Sequence, residues 1–477
     1  MIIRILQHEL RRFLRNGRAS MLFASVLMLS ISSIILSYQD YQLTYEQYYE
    51  NVRQARIHWE TQAEKDPHDA AHDGTYVIKP IHPLAIFDKG IQPYTGRVVH
   101  LGAHKRNQST INESKDRSGM VRFGELTPNF VLVYIFPLLL IFLGYNVFTE
   151  EKEKQTIRLL LVQGVTLQQL SIGKWLALFT HTLSLIISFI IAAFICSGFI
   201  EKEVAVHWTE WIGLVVIYLL YFMAFISLIV LISGKVKTSS SSLSILLAIW
   251  ILVTLIVPKV STDLSSTLYP FPTLQTFIDN ITEDQIKGLN GHNFWNDAAV
   301  KFQKEVLEEY GVPTIEELPV EYSGLLLAEG EKYESEVYTK HFNLLQEQYQ
   351  KQRNIYRICG IFFPLLPTRF VSMTLARTDY GFLWHFEDQV ERYRVELNTA
   401  LNMNIAENAK GIAENAKGID YYKADAVLWS STPEFQYQWQ SSKDLLSNLT
   451  VDYLISICWA FFSFFSMLLV NRTIKIA

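Results

Sequence analysis

Long apolar runs alternate with polar stretches along this chain, and the runs decide its structural class. Each run is close to the roughly 20 apolar residues that a helix needs to cross the hydrocarbon core of a bilayer. A soluble protein does not carry so many long apolar runs, so the pattern predicts membrane-spanning helices rather than buried core helices. The predicted spans are residues 19–38, 129–148, 175–199, 209–233, 241–258 and 450–470.

Basic residues near the ends of the spans predict the orientation of the chain. Lys and Arg are enriched on the cytoplasmic side of membrane proteins, and residues 1–18 hold several arginines but only one acid, Glu9. When the spans are counted, residues 149–174, 234–242 and 471–477 fall on the same side, and they are also rich in Lys and Arg. We therefore expect both termini to lie in the cytoplasm.

The first 18 residues have an amphipathic pattern. Their apolar side chains fall on one helical face and most of the arginines fall elsewhere, which predicts a helix lying along the inner membrane surface. A frayed basic leader is the alternative. The following run is too long for a signal peptide, and Ser37–Asp40 offers no small-residue cleavage site, which favours an uncleaved anchor. The apolar positions are Ile3, Leu6, Leu10, Phe13 and Leu14.

Two long polar stretches, residues 39–128 and 259–449, separate the spans and fall on the outer side. The start of the first has near-helical spacing and is expected to extend the first membrane helix outward. We expect the two stretches to fold together. The predicted fold class is an all-α integral membrane protein, with six transmembrane helices and a mainly helical extracytoplasmic domain built from two insertions.

Further helices are predicted in the second stretch, over Asn293–Tyr310, Gly330–Tyr356 and Trp384–Asn402. Near its end, Ile405–Gly411 is repeated immediately as Ile412–Gly418. Two copies are too few for a solenoid. A local duplication that lengthens a surface helix or loop is therefore predicted.

Composition and charge exclude several classes of protein. The chain has 477 residues with a net charge of -5, whereas a nucleic-acid-binding protein should show a basic surplus on one face. The three cysteines, Cys196, Cys359 and Cys458, are scattered and odd in number. They predict neither a disulfide framework nor a cysteine-based metal site.

Common catalytic signatures are missing from the sequence. It contains no GxxxxGK[ST] loop for ATP phosphates, no HExxH and no GxSxG. The segment His68–Asp73 could supply metal ligands four residues apart if it were helical. Its position between Asp66-Pro67 and Gly74 favours a solvated turn instead. We therefore predict no catalytic, cofactor-binding or metal-binding residues.

One ionisable residue, His181, lies inside the third predicted span. An ionisable group within a membrane helix is a functional candidate. This histidine has no acidic neighbour in its span, so a neutral hydrogen bond between helices is the prediction.

The inner segment after the second span carries the most informative pattern. It begins with Glu150, Glu151 and Glu153, and carboxylates favour the positive end of a helix dipole. The leucines at 159–161 supply an apolar face, and Gly164 is expected to end the helix. A short acidic helix displayed under a helical bundle is suited to docking onto another protein.

This segment resembles the inner coupling segment of ABC-2-type transporter permeases, whose pattern reads E-x-E-x-G-T-L-x-x-L-L, then P-V/G-V, then G-K. Gln155 stands where the pattern has glycine, and Leu167 stands where a basic residue is common. The matching residues are Glu151, Glu153, Thr156, Leu159, Leu160, Gly164, Val165, Gly173 and Lys174.

The outer stretches are similar to the same family. Pro83–Gly90 with Pro93–Gly96, and later Ser372–Asp379, resemble motifs of a subgroup of bacterial permeases whose outer domain has no assigned function. Glycine is common in that family where Arg377 stands. The candidate residues of these motifs are Asp88, Gly90, Pro93, Tyr94, Gly96, Asp379, Glu391 and Arg394.

The resemblance implies a permease subunit of a bacterial cytoplasmic (inner) membrane, either an exporter or part of a complex that transmits motion to the outer side. A separate ABC ATPase would bind ATP and Mg²⁺, and this chain would bind no cofactor directly. A second copy or a sibling permease would complete the complex, and an envelope protein is a further candidate partner. The residues implied to contact the ATPase are Glu150, Glu151, Glu153, Thr156, Leu160, Gly164 and Lys174.

Two other functions remain open at this stage. The chain could be a receptor whose outer domain binds a ligand, although such proteins normally carry a cytoplasmic output domain. It could also be a membrane enzyme with an outer active site that uses Asp88, Asp379 or Glu391. The two aspartates could equally cap a helix or a turn.

Overall fold

Helices dominate the computed structural model, which describes residues 1–110, 126–198, 206–289, 291–411, 414–415, 418–419 and 422–472. Among these residues, six helices are long and apolar enough to cross a membrane. The prediction of an all-α membrane protein with six spanning helices is therefore confirmed. These helices cover Gly17–Glu60, Pro128–Glu153, Leu167–Ala192, Trp208–Lys235, Ser239–Leu268 and Thr450–Asn471.

The first part of the chain is built as follows. Helices α1 to α3 precede a two-stranded antiparallel sheet, β1–β2, in which Thr75 pairs with Leu101. The helix α4, over residues 128–144, contains the π-helical segment Val131–Ile135. The bounds are α1 Ile2–Arg15, α2 Gly17–Glu60, α3 Pro67–Asp73, β1 Thr75–Ile78, β2 Val98–Leu101, α5 Thr149–Glu153, α6 Thr156–Val162, α7 Leu167–Gly198 and α8 Trp208–Lys235.

The second part is almost entirely helical. The helix α9 covers Ser239–Leu268 and contains a second π-helical segment, Leu252–Ile256. The remaining bounds are α10 Leu274–Ile286, α11 Asp297–Tyr310, α12 Tyr322–Phe362, α13 Leu365–Leu375, α14 Tyr380–Asn408, β3 Glu414–Asn415, β4 Gly418–Ile419, α15 Ala426–Ser431, α16 Ser442–Asn448 and α17 Thr450–Asn471.

The helix α8 lies at the centre of the membrane bundle, where it packs against α4, α7, α13 and α17. Small residues bring the helix backbones close together, as is usual in membrane bundles. A Cβ added at Gly144 would lie 2.6 Å from Cγ2 of Ile229, and one at Gly234 would lie 2.1 Å from Oδ1 of Asn471. The second contact brings the last residues of α8 and α17 together at one end of the bundle.

The two long polar stretches pack against each other at the opposite end of the bundle, and we call this region the far unit. The helix α2 runs into it without interruption and ends where Trp59 meets Trp429. The indole of Trp59 donates a hydrogen bond to Oγ1 of Thr432 at 2.7 Å. Next to this contact, Lys65 pairs with Ala424 through backbone hydrogen bonds. Segments far apart in the chain are thereby joined.

The predicted turn at His68–Asp73 is wrong, because this segment forms the helix α3. Asp66 is its N-cap and accepts a hydrogen bond from the backbone N–H of His68 at 2.7 Å. Pro67 occupies the first turn, where its missing N–H costs nothing. Gly74 follows with a φ of +68°. Asp66 and Pro67, which favoured a turn, therefore mark the start of a helix, and Gly74 marks its end.

Some predictions fall on parts of the chain that the structure does not describe. Residue 199 of the predicted third span and residues 473–477 of the predicted tail lie outside the described residues, as does most of the second copy of the seven-residue repeat. In the first copy, Ile405 and Ala406 are buried at the end of α14.

Candidate functional site

The end of the bundle that contains α1 holds a cluster of ion pairs. These pairs join α1 to the segment that follows α4. We call it the basal cluster, and it comprises Glu9, Arg12, Glu150, Glu151 and Lys174. Its members come from three regions of the sequence and meet because α1 packs along α7. The close approach occurs at Gly173, where an added Cβ would lie 2.6 Å from Cγ2 of Ile5.

Lys174 is the central residue of the basal cluster. Its side chain is 0% exposed, and Nζ lies 2.8 Å from Glu9 Oε1 and 2.7 Å from Glu151 Oε1. The ring of Phe148 lies beside the ammonium group, with its centroid 5.5 Å from Nζ. A buried ammonium group is stable only when it is paired and hydrogen-bonded. Lys174 therefore fixes both α1 and α5 onto α7.

A second ion pair links the same elements. The Arg12 guanidinium donates to the carboxylate of Glu150, which also accepts hydrogen bonds from Asn146 at 2.9 Å and from Lys154 at 2.7 Å. Arg12 lies 3.8 Å from Glu9 as well. The charges of α1 and α5 thus form one continuous network.

Lys152 and Glu153 connect α5 to the neighbouring membrane helices. The ammonium group of Lys152 donates to the backbone carbonyls of Gly234 and Val236, at the carboxyl end of α8. The carboxylate of Glu153 accepts from the backbone N–H and the hydroxyl of Ser239, at 2.7 Å and 2.9 Å. Each charge lies at the helix end whose dipole it complements. The short helix α5 is therefore tied to α8 and α9.

The predicted single helix after Glu150 is wrong, because the chain breaks between α5 and α6. Gln155 adopts a φ of +55°, a left-handed conformation that only glycine adopts without strain. This is the position where the family pattern has glycine. Thr156 begins α6, and its hydroxyl donates to the carbonyl of Glu151 at 3.4 Å. Gly164, with a φ of +82°, follows the end of α6.

The helix α6 presents apolar side chains to the exterior of the molecule. Leu159 is 64% exposed and Val162 is 86% exposed, whereas Leu160 is half-buried and Ile157 is buried against the bundle. The acids that were expected to be displayed pair with groups of this chain instead. The outward surface of the segment is therefore an apolar patch, which we call the α6 patch, formed by Leu159 and Val162.

His181 lies beside α1. Its ring stacks against Phe13 at 3.9 Å between centroids and contacts Phe23 at 6.0 Å. No hydrogen bond to this ring was found within the described residues, so the predicted bond between helices is replaced by aromatic packing. This contact holds the last turns of α1 near the start of α2.

The family motifs of the two polar stretches meet in the far unit. Asp88 is 2% exposed and accepts a hydrogen bond from the hydroxyl of Ser372 at 2.5 Å. Tyr218, from α8, donates to Asn129 at 2.7 Å and lies 2.9 Å from Ser372. Burial raises the pKa of the Asp88 carboxyl. The motif thus connects the far unit to the central membrane helix.

Gly90 allows the two motifs to touch. It has a φ of +47°, and an added Cβ would lie 2.4 Å from the carbonyl oxygen of Thr378. Asp379 is the N-cap of α14, where it accepts from the backbone N–H of Phe382 at 3.0 Å. Asp379 therefore acts as a helix cap, and Asp88 also accepts from the backbone N–H of Gly90 at 3.0 Å, in a turn.

The remaining residues of the first motif differ in their surroundings. Pro93 is buried, whereas Tyr94 is 55% exposed. Gly96 lies against the backbone of Ser109, because an added Cβ would lie 2.2 Å from the carbonyl carbon. Pro93 and Gly96 are therefore interior positions, whereas Tyr94 faces the exterior.

Glu391 and Arg394 form a buried ion pair inside the far unit. The guanidinium donates twice to Glu391, with both distances 2.9 Å, and also to Glu331. Arg394 is 1% exposed, and the carboxylates keep the pKa of its guanidinium above the ordinary value even though burial alone would lower it. The group joins α12 to α14.

Sequence reasoning missed two acids that prove to be buried partners. Glu210, at the start of α8, is 0% exposed and accepts from Arg377 at 2.8 Å. Glu331 is also 0% exposed. An acid at the beginning of a membrane span was a usable signal for Glu210, since such groups are paired when buried. Nothing local distinguishes Glu331 from its acidic neighbours on α12.

An apolar cavity of about 810 Å³ opens between α4, α9 and the far unit. Both π-helical segments, Val131–Ile135 and Leu252–Ile256, contribute to its wall, and the indole of Trp250 donates to the carbonyl of Tyr134 at 3.2 Å. Arg369 lines the cavity too. π-Helical turns occur often at functional sites because they re-aim the side chains that follow.

Comparisons with known proteins cover most of the chain. Residues 3–288 match the family model described as "ABC-2 family transporter protein". Residues 275–438 match a domain of unknown function, DUF3526. The two matches overlap over residues 275–288, which include nearly all of α10. No curated protein matches the chain.

Proposed function

The chain belongs to the ABC-2 family of transporter proteins, as a membrane-spanning permease, and from this premise we propose that it couples ATP hydrolysis by a separate ATPase to movement of a substrate. The ATP and Mg²⁺ would be bound by that partner. The observation that carries the proposal is the α6 patch, which lies next to the basal cluster.

Docking at the α6 patch would act on several membrane helices at once. Leu159 and Val162 offer an apolar surface, and docking onto a partner would remove it from water. The adjoining helix α5 is fixed to α1 and α7 through Lys174, and to α8 and α9 through Lys152 and Glu153. A push on α6 therefore reaches the bundle through short ionic contacts rather than through a flexible loop.

The same contacts provide a route to the far unit. The helix α2 follows α1 after one extended residue, Asn16, and ends beside Trp429. Displacement of α1 by an ATPase would be passed along α2 to the far unit. This supports either export of a substrate or transmission of motion to a partner on the other side of the membrane.

We place the basal cluster and both termini on the cytoplasmic side of a bacterial inner membrane, where ATP is available, and the far unit on the extracytoplasmic side. An ABC ATPase acts as a pair, so a second copy or a sibling permease would complete the complex. An envelope protein is a candidate partner for the far unit.

The test is co-purification with an ABC ATPase, which we expect to be encoded beside this chain's gene. Leu159→Asp and Val162→Asp place charges on the docking surface and are expected to abolish ATPase binding and its stimulation by the permease. Val427→Asp is the matched control, because Val427 is 73% exposed on the far unit. This control should retain both.

Undiminished ATPase binding by the Leu159→Asp and Val162→Asp variants, with normal amounts of protein in the membrane, would refute docking at α6. Ligand-dependent signalling without an associated ATPase would favour the receptor function instead.

A further inference from the structure

Four histidines converge in the far unit, although they come from three separate segments of the chain. His68 and His72 lie four residues apart on α3, His104 follows β2, and His292 lies between α10 and α11. One ring nitrogen from each lies within 4.8 Å of the others. We call this group the histidine cluster.

The spacing of the ring nitrogens matches a tetrahedral metal site. Nε2 of His68 lies 3.4 Å from Nε2 of His292 and 3.4 Å from Nε2 of His104, and the last two atoms are 2.9 Å apart. Imidazole ligands about 2.0–2.1 Å from a tetrahedral Zn²⁺ lie about 3.4 Å from one another. The cluster is therefore close to the size that such an ion requires.

The outer nitrogens of two rings are already engaged. Nδ1 of His68 lies 2.9 Å from Oδ1 of Asn402, and Nδ1 of His104 lies 2.8 Å from Oε2 of Glu334. Each acceptor oxygen fixes the ring proton on Nδ1, which leaves the Nε2 lone pair of a neutral imidazole directed into the cluster. Facing lone pairs repel, and a cation between them removes the repulsion. Carbonyl and carboxylate partners of this kind are typical of metal-bound histidines.

The backbone around the cluster is held in place before any ion binds. The helix α3 packs against α14, and the backbone N–H of Ala103 donates to the carbonyl of Ala71 at 2.9 Å. His104 adopts a φ of +61°, and its own N–H donates to Glu331 at 3.0 Å. A non-glycine residue in this left-handed conformation is strained and persists only where its surroundings fix it. In this structure, the contacts of Ala103 and His104 orient the His104 side chain towards α3.

We propose that His68, His72, His104 and His292 bind a divalent transition-metal ion, with Zn²⁺ as the expected occupant. Four imidazoles suit zinc and its first-row neighbours, whereas Ca²⁺ and Mg²⁺ require oxygen ligands. His72 and His292 are exposed, so an ion can enter from solvent, and His68 is buried. The ion ties the first polar stretch to the second.

The test uses the full chain in detergent, purified on a tag free of histidine. Zn²⁺ binding is measured by competition with a chromophoric chelator, and Co²⁺ is used as a spectroscopic probe. One tightly bound ion per chain is expected, with visible Co²⁺ bands of tetrahedral nitrogen coordination and a higher Tm. A sulfur-to-Co²⁺ charge-transfer band would assign the ion to a cysteine and overturn the proposal.

The variants His72→Ala and His292→Ala change exposed residues, so both should fold. Each is expected to weaken Zn²⁺ binding by at least about 10-fold, the low end of what loss of even an outer-shell partner costs. Glu334→Gln, which alters only the support of His104, should weaken it less than either. His58→Ala is the matched control, because His58 is an exposed histidine on α2, and this variant should bind Zn²⁺ as the wild type does.

Equal Zn²⁺ affinity in wild type, His72→Ala and His292→Ala would overturn the proposal, as would a wild-type chain that binds neither Zn²⁺ nor Co²⁺. Neither result bears on ATPase docking, because the cluster and α6 lie at opposite ends of the molecule.

Discussion

Left-handed backbone conformations identify three residues that the chain holds under strain. Among the described residues other than glycine, His104, Gln155 and Arg377 have φ values of +61°, +55° and +56°. Such a conformation costs roughly 1–2 kcal/mol for a residue with a side chain. One of these residues belongs to the histidine cluster, one precedes α6, and one pairs with Glu210. Each therefore lies where the chain must turn sharply.

Two of the three positions were visible in the sequence, but only as departures from a pattern. Gln155 and Arg377 both stand where the resemblance led us to expect glycine, and their positive φ values fit that expectation, because glycine adopts a positive φ without strain. At Arg377, the ion pair with Glu210 compensates for this strain. His104 had no comparable signal, since no motif includes it.

Replacing Gln155 with glycine should relieve the strain between α5 and α6. We expect Gln155→Gly to raise the free energy of unfolding by up to about 1 kcal/mol, because the relief exceeds the greater freedom of glycine in the unfolded chain. The measurement is the Tm of the purified protein in detergent. Gln350→Gly, at an exposed position inside α12, should lower stability by about 1 kcal/mol instead. A lower Tm for Gln155→Gly would contradict a strained conformation at this position.

At the scale of helices, local sequence signals predicted that a helix is present better than they predicted where it begins and ends. The helices predicted over Asn293–Tyr310, Gly330–Tyr356 and Trp384–Asn402 all have counterparts, but α12 and α14 are longer than their apolar patterns. The break at Gln155 was missed because the acidic start and the leucines of this segment fit one continuous helix. The partners that end α5 come from α1, α7, α8 and α9, and no local pattern reports them.

The ion pairs of Lys174 should contribute more to stability than those of an exposed lysine. Lys174→Met leaves Glu151 without its cation and leaves Glu9 with only the longer contact to Arg12, which is expected to cost about 3 kcal/mol or more. Lys154→Met removes a lysine that is 66% exposed, and it should change stability by less than about 1 kcal/mol. The measurement is again the Tm in detergent.

A double variant tests the cause of that loss. Glu151→Gln removes one of the two carboxylates, so Lys174→Met combined with Glu151→Gln should be more stable than Lys174→Met alone. If the two variants lose the same stability, then the missing charge is not the reason, and the packing of Lys174 against Phe148 is the alternative explanation.

At the scale of the whole molecule, the bilayer made the membrane helices predictable. Hydrocarbon forces each span to satisfy its own backbone hydrogen bonds, so length and hydropathy suffice. The far unit has no such constraint. Its contacts join residues far apart in sequence, such as Trp59 with Trp429 and Glu331 with Arg394. A single sequence gives no sign of these pairs. His68 and His72 were considered as metal ligands but were set aside because a turn was predicted there. Nothing local indicates that His104 and His292 join them.

The proposed orientation predicts which side of the membrane each end of the molecule faces. In a variant whose three cysteines are replaced by serine, Val427→Cys should react with a membrane-impermeant maleimide in spheroplasts. Val162→Cys should react only after the membrane is opened. Both positions are highly exposed, at 73% and 86%, so access to reagent is matched. The reverse order of labelling would invert the topology and remove α6 from the side where ATP is hydrolysed.

The length of α2 has a mechanical consequence. It is one helix of 44 residues, with no proline and with glycine only at its first position, so it lacks two of the usual causes of a kink. At 1.5 Å per residue it is a rod about 66 Å long. A tilt of about 5° at its base, where α1 is anchored, would swing its tip by about 6 Å. A small tilt at the base of α2 would therefore move Trp59 by about the length of a side chain.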